Sequence, residues 1–231
     1  MKKCLAITGI MSAGKSTFTS HLHAQWQNNI HNYQPLEIIE VDNLRREIVT
    51  SSNAQYTSLR QRIAQEFSIE YSGLQYELNR YSLTQKVFAT KDSVNAYNEL
   101  TAPVFKEAIA QQIMQTECDV AIVWSHILEN SYQDIFIEAN LSGLILYLTV
   151  DNHEHEKRIL AQSQKEDGLP LELIHQRLNV CSGQDEKMDL LKQSHYPYLI
   201  FNSQQDNDFN LNIQKITSCF PYNRHGLSNR Y

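Results

Sequence analysis

Residues 9–17 read Gly-Ile-Met-Ser-Ala-Gly-Lys-Ser-Thr, a complete Gly-x-x-x-x-Gly-Lys-Ser/Thr phosphate-binding loop. The apolar run from Lys2 to Thr8 precedes it and reads as a buried strand, and the stretch from Thr17 to Trp26 follows with apolar residues at helical spacing. Strand, loop and helix in that order are the setting this motif requires. Glycines let the backbone N–H groups along Gly9, Ser12, Ala13, Gly14, Lys15, Ser16 and Thr17 turn inward as an anion nest at a helix N-terminus. The Lys15 ammonium can reach the terminal phosphates of a nucleotide, and the Ser16 hydroxyl can ligate its Mg²⁺. A chance match to four fixed positions is expected in about one chain of this length in a hundred. The flanking strand and helix lower that further, so nucleotide binding is the expectation.

A chain of 231 residues accommodates one α/β domain with a small appended lobe. Hydrophobic content of 42% and charged content of 20% describe an ordinary globular protein. No apolar run approaches membrane-spanning length, and Met1-Lys2-Lys3 leads straight into the first strand, so a cleaved leader would remove part of the fold. A cytoplasmic location is expected. The four scattered cysteines form no Cys-x-x-Cys pair and read as reduced thiols. A net charge of −6 argues against a nucleic-acid surface.

Further strands are expected at 36–41, 119–124, 144–150 and 198–201, each short, apolar and rich in β-branched residues. Helical patterns separate them, so the class is doubly wound α/β with a parallel sheet covered on both faces. Ligands in such sheets sit beyond the C-terminal strand ends, which brings Asp42, 125–129 and Asn202 toward Gly9. The stretch 51–117 is long, polar and mostly helical, with helices expected at 54–67, 74–88 and 96–115. It lies where an acceptor-binding lobe would be inserted. A second helical stretch, 153–192, is broken at Asp167-Gly168-Leu169-Pro170 and reads either as a mobile lid or as a solvated helical pair.

The class of phosphate-loop protein is narrowed by what is missing. A switch GTPase carries Asn-Lys-x-Asp, which does not occur here. Motor and strand-exchange ATPases end an apolar strand in an acidic residue, whereas the third strand here runs into Trp124-Ser125-His126-Ile127-Leu128-Glu129. Small-molecule kinases remain. They need a base near the acceptor hydroxyl, and Asp42 is placed for that role, with a helix N-cap as its alternative.

Several segments in shared order resemble the dephospho-coenzyme A kinase family: the phosphate loop with Ile7-Thr8-Gly9; Glu40-Val41-Asp42 then Arg46; Leu78-Asn79-Arg80-Tyr81-Ser82-Leu83 then Val87-Phe88; Ile127-Leu128-Glu129-Asn130; Arg177-Leu178 then Gln184-Asp185-Glu186-Lys187; and Ile200-Phe201-Asn202. The resemblance runs from Ile7 to about Ser203. It implies a five-stranded parallel sheet of the P-loop nucleoside triphosphate hydrolase type, a helical acceptor lobe and a lid. It implies ATP-dependent phosphorylation of the ribose 3′-hydroxyl of dephospho-coenzyme A, a small-molecule acceptor. Asp42 would be the general base, with Lys15 and Arg80 beside it in catalysis. Lys187, with Lys157 or Arg158, would supply lid charge, and Asn202 would lie near the adenine of ATP.

The chain departs from the family pattern at Asn79 and Ala102, where Asp and His stand in relatives, and at Ser125, where a Pro is replaced. Gln162 and Gln164 stand where a lid arginine is expected, with Lys165 as a substitute. Those changes leave two further readings: a kinase for another small nucleotide-like acceptor, or a nucleotide-binding homologue without turnover. His153 and His155, like His21 and His23, are two residues apart and share no helical face, so they make poor metal pairs. Tyr71, Tyr76, Tyr81 and Tyr97 read as packing residues of the helical insertion, with the lining of an acceptor pocket as their alternative.

Overall fold

The computed structural model describes residues 2–28, 34–50, 53–71, 78–129, 132–164, 169–203, 215–216 and 219. Five strands form one parallel sheet: β1 (Lys3–Thr8), β2 (Leu36–Glu40), β3 (Asp119–Val123), β4 (Ser142–Thr149) and β5 (Tyr198–Asn202), in the order β2-β3-β1-β4-β5. The central β1 pairs with β3 through Cys4↔Val120 and Ile7↔Val123, and with β4 through Leu5↔Leu144 and Thr8↔Tyr147. Parallel neighbours need long crossovers, and helices supply them. These are α1 (Lys15–Asn28), α2 (Val41–Arg45), α3 (Thr57–Glu66), α4 (Arg80–Val87), α5 (Lys91–Gln115), α6 (Ile135–Glu138), α7 (Asn152–Ser163), α8 (Leu171–Val180) and α9 (Gln184–Gln193).

Alternation along β1 divides the core in two. Cys4 and Ala6 face a layer built from α2 to α6 with Trp124, Ile145 and Tyr147. Leu5 and Ile7 face Phe18, Leu22 and Trp26 of α1, with Leu144, Leu146 and Leu148 of β4. A strand buried on both faces reads as an unbroken apolar run, which is why β1, β3 and β4 are visible in the sequence. β4 starts two residues before the expected Leu144, because Gly143 admits the Phe136 ring: a Cβ there would stand 2.6 Å from ring carbon Cδ2.

The helices of the insertion differ from expectation at their starts. α5 begins at Lys91 rather than 96, since the Thr90 side chain caps it by accepting from the Ser93 N–H. The expected helix 74–88 begins at Arg80 among the described residues; 72–77 lie outside them. α2 passes directly into a wider turn over Arg46–Thr50, held by the buried Arg60, whose guanidinium donates to Ile48 O at 3.0 Å. Among the described residues no helix is long and apolar enough to cross a membrane.

Of the stretch expected to be a lid, α7 and α8 flank an open cavity, whereas α9 is fastened to the sheet. Gln184 at its start accepts from Tyr147 Oη through its carbonyl (3.2 Å) and from Val150 N through its side chain (3.0 Å). Leu191 is fully buried. Pro170 is the N-cap of α8, and 165–168 lie outside the described residues.

Candidate active site

The loop between β1 and α1 has the backbone of an anion cradle. Gly9, Ser12 and Gly14 have φ of 141°, 61° and 95°. A Cβ at Gly9 would stand 2.5 Å from the carbonyl oxygen of Leu148, so only glycine fits there. The Phe18 N–H bonds Gly14 O at 2.9 Å, which leaves the N–H groups of the first turn aimed into the loop. Lys15 curls back, its Nζ donating to Gly9 O (3.1 Å) and Ile10 O (2.8 Å). Burial, helped by Lys187 and Arg177 and opposed by Asp42, brings the Lys15 ammonium down to about 8.

A cavity of about 410 Å³ opens over this loop. It is lined by Lys15, Ser16 and Thr17, by Asp42, Arg45 and Arg46 after β2, by Arg80 of α4, and by Arg158 and Arg177. One carboxylate thus faces five guanidinium groups and an ammonium. Asp42 is open to the cavity, its side chain 58% exposed, and its carboxylate lies 3.9 Å from Arg45 Nε. Withdrawal from bulk water opposes its ionisation. Arg45 and Arg177, with Lys15 and His126, outweigh that and hold the carboxyl below the usual range. The helix N-cap is Glu40, so the capping alternative for Asp42 is corrected: it sits inside the first turn of α2.

α7 lies against the loop along its length. His155 Nε2 is 2.8 Å from Met11 O, Arg158 Nη1 donates to Ser203 Oγ at 3.0 Å, and Ser12 Oγ donates to Gln162 Oε1 at 2.7 Å. Arg158 also crosses Gly14, where a Cβ would come within 2.9 Å of its Nη1. Gln162, where a lid arginine is expected, therefore reaches the cradle as a neutral amide. Asn202 ends β5, and the next residue, Ser203, has its Cβ 3.5 Å from where a Gly14 Cβ would stand.

Lys187 departs from its expected place as a lid charge. It is 2% exposed, donates to Ser125 O at 2.6 Å, and forms a buried ion pair with Glu129, whose other oxygen lies 2.8 Å from His126 Nδ1. Burial opposes ionisation of Glu129, but His126 and Lys187 together bring its carboxyl down to about 2. Asn79 is the N-cap of α4, its side chain accepting from Ser82 N at 2.9 Å. Asn and Asp cap equally well, so the departure there leaves Arg80 in place. Ala102 lies half-buried against the core on α5.

The sequence reading passed over Arg45, His126 as a site residue, and the contact of Gln162 with Ser12. Arg45 had a signal, being three residues from Asp42 on a helix. The other two depend on α7 and β3 meeting around the loop.

A second cavity, about 760 Å³, continues from the first past Ser125 and Arg177, with Ile159, Leu160, Leu171 and Leu178 on its apolar side. Arg177 belongs to both and lies 4.9 Å over the Phe88 ring.

A five-stranded parallel sheet, a phosphate loop at the end of its central strand and a carboxylate among arginines opposite define a P-loop small-molecule kinase. A family model described as dephospho-CoA kinase matches residues 3–194, and the chain belongs to the dephospho-CoA kinase family. Similar proteins include dephospho-CoA kinase of Vibrio parahaemolyticus, 22% identical over 94% of this chain and 93% of the relative. Dephospho-CoA kinase of Streptococcus pneumoniae is 25% identical over 84% and 86%. The crystal structure of TT1252 from Thermus thermophilus shares the fold, with a TM-score of 0.63 at 17% identity, covering 94% of this chain and 97% of that one.

Proposed function

We propose that this enzyme transfers the terminal phosphoryl group of ATP to the ribose 3′-hydroxyl of dephospho-coenzyme A. The observation that carries the reading is the single carboxylate of Asp42, held ionised among Arg45, Arg80 and Arg177 in the cavity that contains the phosphate loop. Transfer of an anionic phosphoryl group needs cations around its oxygens and one acceptor for the hydroxyl proton, and this cavity has both.

The residues fit a nucleoside triphosphate. The positive φ values at Gly9, Ser12 and Gly14 and the turn at the start of α1 form a cradle that a Cβ at either glycine would fill. The first-turn N–H groups and Lys15 hold the phosphates, and Lys15 exchanges its two carbonyl partners for phosphate oxygens. The Ser16 hydroxyl would hold a nucleotide-bound Mg²⁺, which would supply positive charge against the phosphates. Asp42 orients the acceptor hydroxyl and takes its proton as the new O–P bond forms and the bond from the γ-phosphorus to the β,γ-bridging oxygen breaks, releasing ADP. Arg80 and Arg177 stabilise charge on the transferred group. Asn202, at the end of β5, would lie near the adenine of ATP. The helical insertion 51–117 would form the acceptor lobe, and α7 with α8 a lid that excludes water.

The test is direct: purified protein with ATP, Mg²⁺ and dephospho-coenzyme A, with the 3′-phosphorylated product followed by mass. Formation of coenzyme A supports the reading. Good ATP binding without this product overturns the assigned acceptor. A panel of nucleosides, nucleotides and pantetheine compounds then separates another kinase from a homologue without turnover.

A further inference from the structure

His126 sits in the turn after β3, beside Ser125 where the two large cavities join, and the chemistry above does not use it. Its Nδ1 lies 2.8 Å from Glu129 Oε2. The other carboxylate oxygen accepts from Lys187, which is tied in turn to the Ser125 carbonyl. A carboxylate can only accept, so Nδ1 carries the proton and the neutral ring bears its lone pair on Nε2. The Trp124 ring packs against the imidazole edge to face, at 6.5 Å between centroids. Its own turn, through Trp124 and Glu129, and α9, through Lys187, therefore fix its orientation.

The edge of the ring opposite Glu129 has a place to act. His126 lines the 760 Å³ cavity and also a small cavity of about 30 Å³ shared with Asp42, Tyr97, Trp124, Tyr132 and Arg177. Its side chain is 19% exposed, and among the described residues its hydrogen bond is made through Nδ1. The charged groups that face it are Glu129 from its own turn, Lys187 from α9, Arg177 from α8 and Asp42 from α2. Burial, the largest influence, together with Lys187 and Arg177, outweighs Glu129 and holds the imidazole below its ordinary range, hence neutral. A lone pair so oriented repels an ionised phosphate and requires a hydrogen-bond donor. The phosphates belong to the cavity of the loop, which His126 does not line, whereas it shares the small cavity with Asp42, so the donor for Nε2 comes with the acceptor molecule.

We propose that His126 is a specificity-determining residue for the acceptor: its Nε2 accepts a hydrogen bond from a hydroxyl or N–H group of the molecule whose reacting hydroxyl lies against Asp42. This rests on the kinase reading above and adds to it the side chain that selects the substrate.

Three variants separate this role from simple support of Glu129. His126→Leu removes both ring nitrogens. His126→Asn keeps a donor for Glu129 and loses the far acceptor. His126→Gln loses the Glu129 bond and keeps an acceptor oxygen at the ε position. Steady-state kinetics with ATP, Mg²⁺ and dephospho-coenzyme A, alongside thermal melting of each variant, should show the acceptor KM rising roughly 10- to 100-fold in His126→Leu and His126→Asn. The KM for ATP should stay within about twofold, and His126→Gln should recover most of the acceptor affinity. Acceptor KM values unchanged in all three overturn the proposal. So does a wild-type-like His126→Asn beside an impaired His126→Gln, which assigns the ring to support alone. If wild type phosphorylates a different hydroxyl compound of the panel, the assigned acceptor falls, and His126 is judged on that compound by the same KM pattern. If wild type phosphorylates nothing, both readings fall.

Discussion

The Lys187 ammonium, on α9, is buried against the carboxylate of Glu129, in the turn after β3, and also donates to the Ser125 carbonyl at 2.6 Å. The two residues are 58 apart in sequence. Their pairing fastens α9 to the sheet beside the phosphate-loop cavity, and it holds the carboxylate on which His126 rests.

Removing one partner leaves a buried charge alone. Lys187→Met should therefore lower unfolding free energy by about 3–5 kcal/mol, read as a shift of the urea midpoint. Adding Glu129→Leu to it should return part of that loss, because the double replacement buries no unpaired charge. A single-variant loss under about 1 kcal/mol would assign the pair a negligible role.

Acidification should destabilise the fold in two stages. His126 is held below its ordinary 6.5, so the unfolded chain takes up this proton first and stability declines as pH falls from 6.5. Glu129, brought from 4.5 to about 2, contributes stability that is complete above 4.5 and lost as pH falls toward 2. Melting temperatures from pH 7 to pH 3 should decline throughout, and Glu129→Gln should abolish the lower stage. A flat profile over the lower stage in wild type would contradict this.

Asp42→Asn keeps the size and removes the proton acceptor. kcat should drop roughly 10²- to 10⁴-fold with ATP affinity preserved, measured by steady-state kinetics and nucleotide titration. Turnover near the wild-type rate would remove Asp42 as the base.

Lys15, at about 8 without ligand, should return to its ordinary range when phosphates displace the carbonyls of Gly9 and Ile10. At pH 8, nucleotide binding should then take up about half a proton from this group. Calorimetry in buffers of different ionisation enthalpy measures it, and Lys15→Met should suppress it.

The two loop glycines should respond differently. Gly9→Ala drives a Cβ to within 2.5 Å of the Leu148 backbone oxygen in β4, at a φ of 141° that alanine resists. Its melting temperature should fall together with ATP affinity. At Gly14 the near atom is the end of the Arg158 side chain, 2.9 Å away, which can move. Gly14→Ala should lose affinity for ATP with a smaller loss of stability. Equal melting temperatures for the two variants would refute the distinction.

The fold was largely legible because its signals are local. A strand buried on both faces is an apolar run, and the phosphate loop is a contiguous backbone conformation written in two glycines, a lysine and a hydroxyl residue. The position of Asp42 beside the loop was legible for a related reason, since it follows the end of a parallel strand. Helix starts were less so: Thr90 caps α5 through a bond to Ser93 that an alternating polar segment hides, and Gly143 hides the first residues of β4. Lys187 was misread because an ammonium in a polar helical segment looks solvated until its buried carboxylate is seen. Asn79 looked like a lost acidic group until its capping bond explained it.

The chain order of residues thus determined by itself what depends on neighbours along the backbone: parallel α/β architecture, a nucleotide loop at Gly9 to Thr17 and a kinase class. Tertiary structure alone decided what depends on distant segments meeting: which cations surround Asp42, that Gln162 reaches Ser12, and that Glu129 and Lys187 pin His126. Electrostatic fields and hydrogen-bond geometry act through space over a few ångströms, and sequence separation carries no record of them.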